Sequence, residues 1–197
     1  KWADLSQPDY GVALLNDCKY GHKVKDNVLD LDLIRSAPYP GPRLVGDDEV
    51  TAGEPHHGYT DQYDHTFTYA LYPHPGDHLA GSVIQAGYEL NLPLRVVLAE
   101  VHGGGHPARF SWLTVEPENV IVEAVKKAEV GEGMVVRLYE SEHQNTRATV
   151  RFGFAVQSVV EVDLIEEHPR DLVVEDHSVE IEFAPFEIKT LLLEMDK

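Results

Sequence analysis

The polar segment "NDCKYGH", residues 16–22, follows an apolar run and places a carboxylate, a thiol and an amine in consecutive positions, Asp17, Cys18 and Lys19. A thiol beside a lysine can act as a nucleophile, because the positive charge favours the thiolate. A lone cysteine is also commonly a small buried hydrophobe, and we favour that interpretation. A structural turn between two strands explains the segment equally well, since Asn and Asp bond their own backbone and Gly21 supplies an unusual dihedral angle.

The eleven histidines raise the question of a metal site. The closest spacings are His56 with His57, His74 with His78, and His102 with His106. Zinc needs three or four converging ligands on rigid elements, whereas these pairs lie in loops rich in glycine and proline. We therefore predict surface histidines and assign no metal ligand.

Established catalytic signatures are also missing from the sequence. It contains no G-x-S-x-G elbow, phosphate loop, dinucleotide fingerprint or H-E-x-x-H helix. Its carboxylates could supply a glycosidase pair, but sequence spacing does not show which two face each other. We assign no catalytic residue.

Composition excludes several classes of partner. Sixteen basic against 34 acidic residues give a formal charge of −18, which repels nucleic acid phosphates and anionic lipids. No apolar run approaches the roughly 20 residues that span a bilayer. A single cysteine cannot form an internal disulfide, which fits a cytoplasmic location. The opening on lysine instead of methionine suggests a piece of a longer protein.

Hydrophobic periodicity in the first half predicts mainly strands. Residues 28–34 alternate apolar and acidic side chains, residues 65–74 alternate aromatic and small ones, and residues 94–101 form an apolar run. Near-helical spacing predicts one short helix within residues 76–91. The segment between residues 38 and 65 has little periodicity and is expected to be a long surface loop.

The second half of the chain has a different spacing of apolar residues. Short apolar runs recur about every ten residues, which is typical of a β-sandwich. The runs are "NVIVEAV", "GMVVRLYES", "RATVRFGFA", "VVEVDLIEE", "VEIEFAP" and "FEIKTLLLEM". The glycine-rich stretch 102–110 predicts a boundary between residues 105 and 106.

Several phrases resemble one enzyme family. "DYGVALLNDCKYGHKVKDNVLDLDLIRSAPYP", "HTFTYALYPHPGD", "PENVIVEAVKKAE" and the final "FAPFEIKTLLLEM" are similar to the C-terminal β region of the α-mannosidases of glycoside hydrolase family 38, in the cytosolic and bacterial branch. The resemblance implies an all-β chain. Residues 1–105 would be the end of a large galactose-mutarotase-like sandwich (a supersandwich), and residues 106–197 a small immunoglobulin-like β-sandwich.

The resemblance also implies a function in which this chain is not catalytic. In the family, an N-terminal barrel of the same polypeptide carries the zinc ligands and the aspartate nucleophile, and it hydrolyses terminal α-mannosides with retention. No cofactor is then expected in this chain. Arg35 matches a family arginine that faces the substrate, and Asp17, Lys19 and Tyr20 would shape the rim of that site.

Two other interpretations remain open at this stage. A stand-alone carbohydrate-binding module would use exposed loop aromatics to stack on sugar rings. The candidates for stacking are Trp2, Trp112, Tyr39, Tyr59 and Tyr63. A scaffold or oligomerisation domain, including a homo-oligomer, would instead use sheet edges and surface loops.

Overall fold

The chain forms two compact units, Lys1–Val97 and Leu98–Lys197. A computed structural model describes residues 1–36, 60–101, 103–105 and 107–195. Strands dominate both units, which confirms the all-β prediction. The predicted division after residue 105 stays a prediction, and most of the expected loop between residues 38 and 65 lies outside the described residues.

The first unit is built on a three-stranded antiparallel sheet of order β1-β2-β5. Its strands are β1 Trp2–Gln7, β2 Tyr10–Asn16 and β5 Tyr69–Pro75. A separate two-stranded hairpin consists of β3 His22–Lys25 and β4 Val28–Leu31. The alternating apolar and acidic pattern of residues 28–34 therefore forms a strand only over its first four residues, Val28–Leu31. The sequence patterns did not predict strand β1.

One helix, α1 Val83–Asn91, packs on the three-stranded sheet and confirms the predicted helix. Val83 is fully buried against Ala13 and Leu15 of the central strand. Ala13 and Leu15 are two residues apart and therefore share one face of β2. Pro93 follows the helix and cannot extend it, because proline lacks the backbone donor.

A buried histidine ties this sheet together. Nε2–H of His74 on β5 donates to Oδ1 of Asp4 on β1 across 2.8 Å, and both side chains are almost completely buried. Gly11 and Gly81 flank the imidazole so closely that a Cβ on either would overlap it. The prediction that His74 is a surface histidine is therefore wrong. The His74 ring lies beside Gly11 of the central strand β2, which β1 and β5 flank.

The second unit is a β-sandwich of two antiparallel sheets. The five-stranded sheet has the order β11-β10-β13-β8-β7, and the three-stranded sheet has the order β12-β9-β6. The strands are β6 Leu113–Glu116, β7 Val120–Lys127, β8 Met134–Glu140, β9 Thr146–Phe152, β10 Val156–Val162, β11 Arg170–Asp171, β12 Ser178–Phe183 and β13 Ile188–Met195. The six predicted runs coincide with six of these strands, and only β6 and β11 were missed.

The sandwich core follows from the two-residue period of its strands. Val136 and Leu138 on β8, Leu191 and Leu193 on β13, and Val150 on β9 are fully buried in one cluster. Alternate residues of a strand share a face, so each strand contributes one apolar row to the space between the sheets. Burying such a side chain contributes about 1.5 to 3 kcal/mol relative to leaving it exposed.

A buried carboxylate organises one end of the sandwich. Glu140 is completely buried, and its oxygens accept hydrogen bonds from Nδ2 of Asn119 (3.0 Å), from N–H of Glu142 (2.8 Å) and from N–H of Phe186 (2.9 Å). Burial by itself raises the pKa of this carboxyl. The backbone donors Phe186 and Glu142, with Asn119, outweigh burial, and the net shift lowers the pKa. The ionised group thereby connects three separate chain segments.

Residues 94–101 are not a strand, which corrects the prediction made from their apolar pattern. Leu94 and Leu98 are each 96% exposed. A strand that is apolar on both faces needs cover on both faces and a hydrogen-bonded neighbour. Within the described ranges, no strand pairs with this segment.

Replacing Glu140 tests the buried network. We expect Glu140→Gln to lower the free energy of unfolding by about 3 kcal/mol at pH 7, because an amide NH₂ then faces a backbone donor. The folded-state pKa is lowered, so the carboxylate stabilises the fold above the ordinary glutamate pKa of about 4.3 and loses that effect as pH falls through the folded value. Urea unfolding of both proteins at pH 7 and below pH 4 measures this difference. A penalty that does not shrink in acid would contradict the assignment.

Replacing Gly11 tests the close packing around His74. We expect Gly11→Ala to cost about 2 kcal/mol or more, since the new methyl group overlaps both His74 and Ser6. Gly104→Ala is the matched control, because a Cβ there meets nothing within 4 Å. Chemical unfolding of the two variants gives the comparison, and equal stability would refute the packing argument.

Candidate functional site

The polar turn after β2 is anchored to the helix and to the chain terminus. Asn16 is buried, and its Oδ1 accepts a hydrogen bond from N–H of Lys19 (3.0 Å). Its carbonyl accepts from Nδ2 of Asn91 at the end of α1 (3.0 Å), and its N–H donates to the carbonyl of Lys1 (2.9 Å). The turn therefore has a defined position on the first unit.

Asp17 is engaged in holding the turn to the segment before β5. Its N–H donates to the carbonyl of Thr68 (3.1 Å), and its Oδ1 accepts from N–H of Thr68 (3.0 Å). A hydrogen bond from the Cys18 thiol, followed by the Thr68 backbone bond, lowers the pKa of Asp17. The Asp17 carboxylate is therefore ionised, and it already accepts hydrogen bonds from Thr68 and Cys18.

Cys18 is exposed, so the expectation of a buried cysteine is wrong. The hydrogen bond to Asp17 raises the pKa of the Cys18 thiol, and Lys19 opposes this only weakly. A raised pKa leaves little thiolate near neutral pH. Cys18 is accordingly not an activated nucleophile.

Lys19 and Tyr20 present polar groups at the surface of the turn. Nζ of Lys19 lies over the ring of Phe67, 5.3 Å from its centroid. The hydroxyl of Tyr20 donates to the carbonyl of Asp17 (3.3 Å), while 64% of the residue remains exposed. An ammonium and a phenol in these positions can form hydrogen bonds with hydroxyl groups, but they are not a nucleophile–base pair.

Arg35 lies on an exposed segment after β4. Its carbonyl accepts a hydrogen bond from Oγ1 of Thr60 (3.3 Å), and Oγ of the next residue, Ser36, donates to the carbonyl of Thr60 (3.0 Å). Among the described residues, no hydrogen bond or ion pair joins Arg35 to the turn of Asp17, Lys19 and Tyr20. The assignment of these four residues to a substrate rim stays a prediction.

Three of the five aromatic side chains predicted to stack on sugars lie in the part of the chain that the structure describes, and two of these three are packed inside their units. Trp2 is partly buried and stacks on His78 at 5.4 Å, and Trp112 is partly buried and stacks on Phe154 at 4.7 Å. Tyr63 is exposed and stacks on His65. The other two predicted aromatics, Tyr39 and Tyr59, lie outside the described residues. The two tryptophans belong to the packing of their units, contrary to the binding interpretation.

A broad cleft of about 1260 Å³ lies on the second unit. Charged groups dominate its lining, including the ion pairs Lys189–Glu161 (2.7 Å) and Arg147–Glu180. Phe183 also lines it but is only 2% exposed. The cleft therefore lacks an exposed ring on which a sugar could stack, and it does not favour a carbohydrate-binding module.

Sequence reasoning missed the two buried charged networks. Glu140 follows an apolar run, and His74 lies in a proline-rich stretch that resembles a loop. The register of β5 against β2, which places His74 beside Gly11, depends on pairing across about 60 residues of chain and has no local signal. Neither network contains a reactive group open to solvent.

The described ranges hold no metal centre. No group of three or more His, Cys, Asp or Glu side chains converges there, so these residues do not fit a zinc ion. His56, His57, His102 and His106 lie outside the described residues. Among the described helices, none is long and apolar enough to span a bilayer.

Family models match both ends of the chain. Residues 1–43 match the glycosyl hydrolases family 38 C-terminal domain, and residues 119–191 match the glycosyl hydrolases family 38 C-terminal beta sandwich domain. The second match lies within the eight-stranded sandwich.

Curated relatives match nearly the whole chain. Alpha-mannosidase 2C1 of Mus musculus is 35% identical over 98% of this chain, and alpha-mannosidase G of Dictyostelium discoideum is 35% identical over 96%. The matched regions cover 17% and 16% of those relatives, so this chain spans about a sixth of their length.

Solved structures share the fold. A glycosyl hydrolase family 38 protein from Enterococcus faecalis has a TM-score of 0.70 at 20% identity, covering 98% of this chain and 22% of that chain. Both matched family models describe C-terminal domains of this family. The chain therefore belongs to glycosyl hydrolase family 38 and is its C-terminal β region.

Proposed function

We propose that this chain is the non-catalytic C-terminal part of an α-mannosidase. The catalytic domain of the same polypeptide would hydrolyse terminal α-mannosides with retention and bind zinc with its own residues. The observation that carries this proposal is the ordered match of two C-terminal domain models together with 35% identity to α-mannosidases over almost the whole chain. A cytoplasmic location accompanies it, supported by a single, unpaired cysteine.

The role of the chain in that enzyme is to support the catalytic domain. The hairpin of β3 and β4 contributes to this argument, because all four residues of β3 are exposed and an isolated two-stranded hairpin is marginally stable in water. Such a hairpin gains stability when another domain covers it. The mannoside would bind in the catalytic domain, with this chain at the edge of the site.

The substrate rim is the second part of the proposal. Arg35 is exposed, and its guanidinium can donate two parallel hydrogen bonds to sugar hydroxyls or to a carboxylate. Lys19 and Tyr20 would add single donors from the turn. Asp17 would act as a positioning residue, since its hydrogen bonds fix that turn.

The first test compares the full-length protein with this chain alone on an aryl α-mannoside. We expect zinc-dependent turnover by the full-length protein and none by the isolated chain, because the described residues offer neither a metal cluster nor an activated nucleophile. An aryl β-mannoside serves as the control substrate. Metal-dependent release of the aryl group by a pure sample of the isolated chain would refute the proposal.

The second test replaces Arg35 in the full-length enzyme. We expect Arg35→Gln to raise KM about tenfold, since a lost charged hydrogen bond to the substrate costs roughly 1.5 kcal/mol. Arg151→Gln, at an exposed arginine on β9, is the matched control and should leave KM unchanged. An unchanged KM in both variants would remove Arg35 from the rim.

A further inference from the structure

The side chain of Asn91 joins helix α1 to the polar turn after β2. Asn91 is the last residue of α1 and is half-buried. Its Nδ2 donates to the carbonyl of Asn16 across 3.0 Å and to the carbonyl of Gly87 across 2.8 Å. An amide NH₂ carries two hydrogen atoms, so these two bonds use all the donors of the group. The bond to Gly87, one turn earlier in the helix, fixes the direction in which the amide points toward Asn16.

The connection continues from Asn16 into the turn. Asn16 is only 5% exposed, and its Oδ1 accepts a hydrogen bond from the N–H of Lys19 across 3.0 Å. Two amide side chains therefore form a continuous path from α1 to the backbone of Lys19. Lys19 and Tyr20 are the two donors that the proposed rim takes from this turn. The position of their backbone decides where the ammonium and the phenol lie.

The helix is a firm support for this path. Val83 is fully buried in the cluster that α1 forms with β2. A Cβ at Gly87 would come within 3.2 Å of Cδ1 of Trp2, so α1 also lies close to β1 one turn before Asn91. Binding groups keep their geometry when the residues that hold them are themselves held by packing. Helix α1 meets this condition at the end from which Asn91 reaches the turn.

A second anchor holds the same turn from another element. Asp17 exchanges two hydrogen bonds with the backbone of Thr68, in the segment before β5. A turn that is held at one point can still pivot about that point, whereas anchors from two elements define its orientation. Asn91 supplies the anchor from the helix, and Asp17 supplies the anchor from the sheet.

Gln85 shows how an ordinary surface amide of the same helix behaves. It is exposed, and its Nε2 donates to Oε1 of Glu89 within α1 across 3.2 Å. Asn91 instead bonds a residue 75 positions away in the sequence. A role confined to the end of the helix would need only the bond to Gly87. The bond to Asn16 adds a link between two elements that helix formation does not require.

We propose that Asn91 is a positioning residue of the substrate rim, which holds Lys19 and Tyr20 in place through Asn16. This inference rests on the proposed function, because that function supplies the rim. Asn91 itself does not bond the sugar, since both of its donors are already used. The reacting groups lie in the catalytic domain, so displacing the rim weakens the binding of substrate and leaves the chemical step alone. Loss of the link therefore raises KM and keeps kcat.

Amide hydrogen exchange in the full-length protein tests the link directly. We expect Asn91→Leu to increase the exchange rate of the Lys19 amide about tenfold or more, because its acceptor Asn16 loses its own support. Gln85→Leu is the matched control, since it removes an amide from the same helix, and it should leave that rate unchanged. An exchange rate of the Lys19 amide that is the same in Asn91→Leu as in the unaltered protein would overturn the inference.

Kinetics of the full-length enzyme on an aryl α-mannoside test the consequence for the rim. We expect Asn91→Leu to raise KM about fivefold with kcat unchanged, and Gln85→Leu to change neither. Val150→Ala, in the core of the second unit, controls for a general loss of stability, and it should lower the Tm and keep KM. Equal values of KM in Asn91→Leu and the unaltered enzyme, or equal increases in Asn91→Leu and Val150→Ala, would contradict the positioning role.

A double-mutant cycle separates positioning from a general structural effect. In an enzyme that carries Lys19→Met and Tyr20→Phe, Asn91→Leu should raise KM no further, because the two donors that Asn91 positions are already gone. Independent effects that multiply in the combined variant would overturn the inference, since Asn91 would then act on KM by another route.

The same measurements separate this inference from the proposed function. Absence of turnover by the unaltered full-length protein would refute the proposed function, and the Lys19 exchange rates would still show whether Asn91 holds the turn. An unchanged KM after Lys19→Met with Tyr20→Phe would remove the turn from the rim, and the inference with it. A raised KM in that variant but not in Asn91→Leu would refute the inference alone.

Discussion

A β-sheet is stable in water when its apolar face is covered and its edges are paired or protected. The second unit satisfies much of this requirement by itself, since its two sheets bury each other's apolar rows around Leu138, Val150 and Leu191. The first unit satisfies it only in part. Its helix α1 covers one face of a three-stranded sheet, while strand β3 of the hairpin is exposed to solvent along its whole length. This difference explains how a chain with an ordered core can still be one part of a larger protein.

Buried polar groups give each unit its particular geometry. In the sandwich, the carboxylate of Glu140 accepts hydrogen bonds from donors in three chain segments, so replacing Glu140 leaves those buried donors without their acceptor. In the first unit, the hydrogen bond between His74 and Asp4 links the two outer strands of the sheet. The imidazole fits there because a Cβ at Gly11 or Gly81 would overlap it. These interactions shape the scaffold. They do not resemble catalytic pairs, because neither is open to a substrate.

Local sequence patterns predicted the strands and the helix whose apolar residues are buried within their own unit. The six runs of the second half became strands because each contributes alternate residues to one shared core, and α1 formed where its apolar residues meet the sheet. Residues 94–101 show the limit of such reasoning, since a strand also needs a partner and none lies among the described residues. The position of His74 and the three donors to Glu140 depend on long-range register. The turn at Asp17 was recognisable as polar, but its reciprocal bonds with Thr68 had no signal in the nearby sequence.

The central claim is that this chain is the C-terminal region of a much longer α-mannosidase polypeptide. The most direct measurement is the size of the native protein, obtained by probing an extract of the source organism with an antibody raised against this chain. The account predicts a band several-fold larger than the 22.0 kDa of the chain itself. A single band at 22.0 kDa would contradict it, because no catalytic domain would then share the polypeptide.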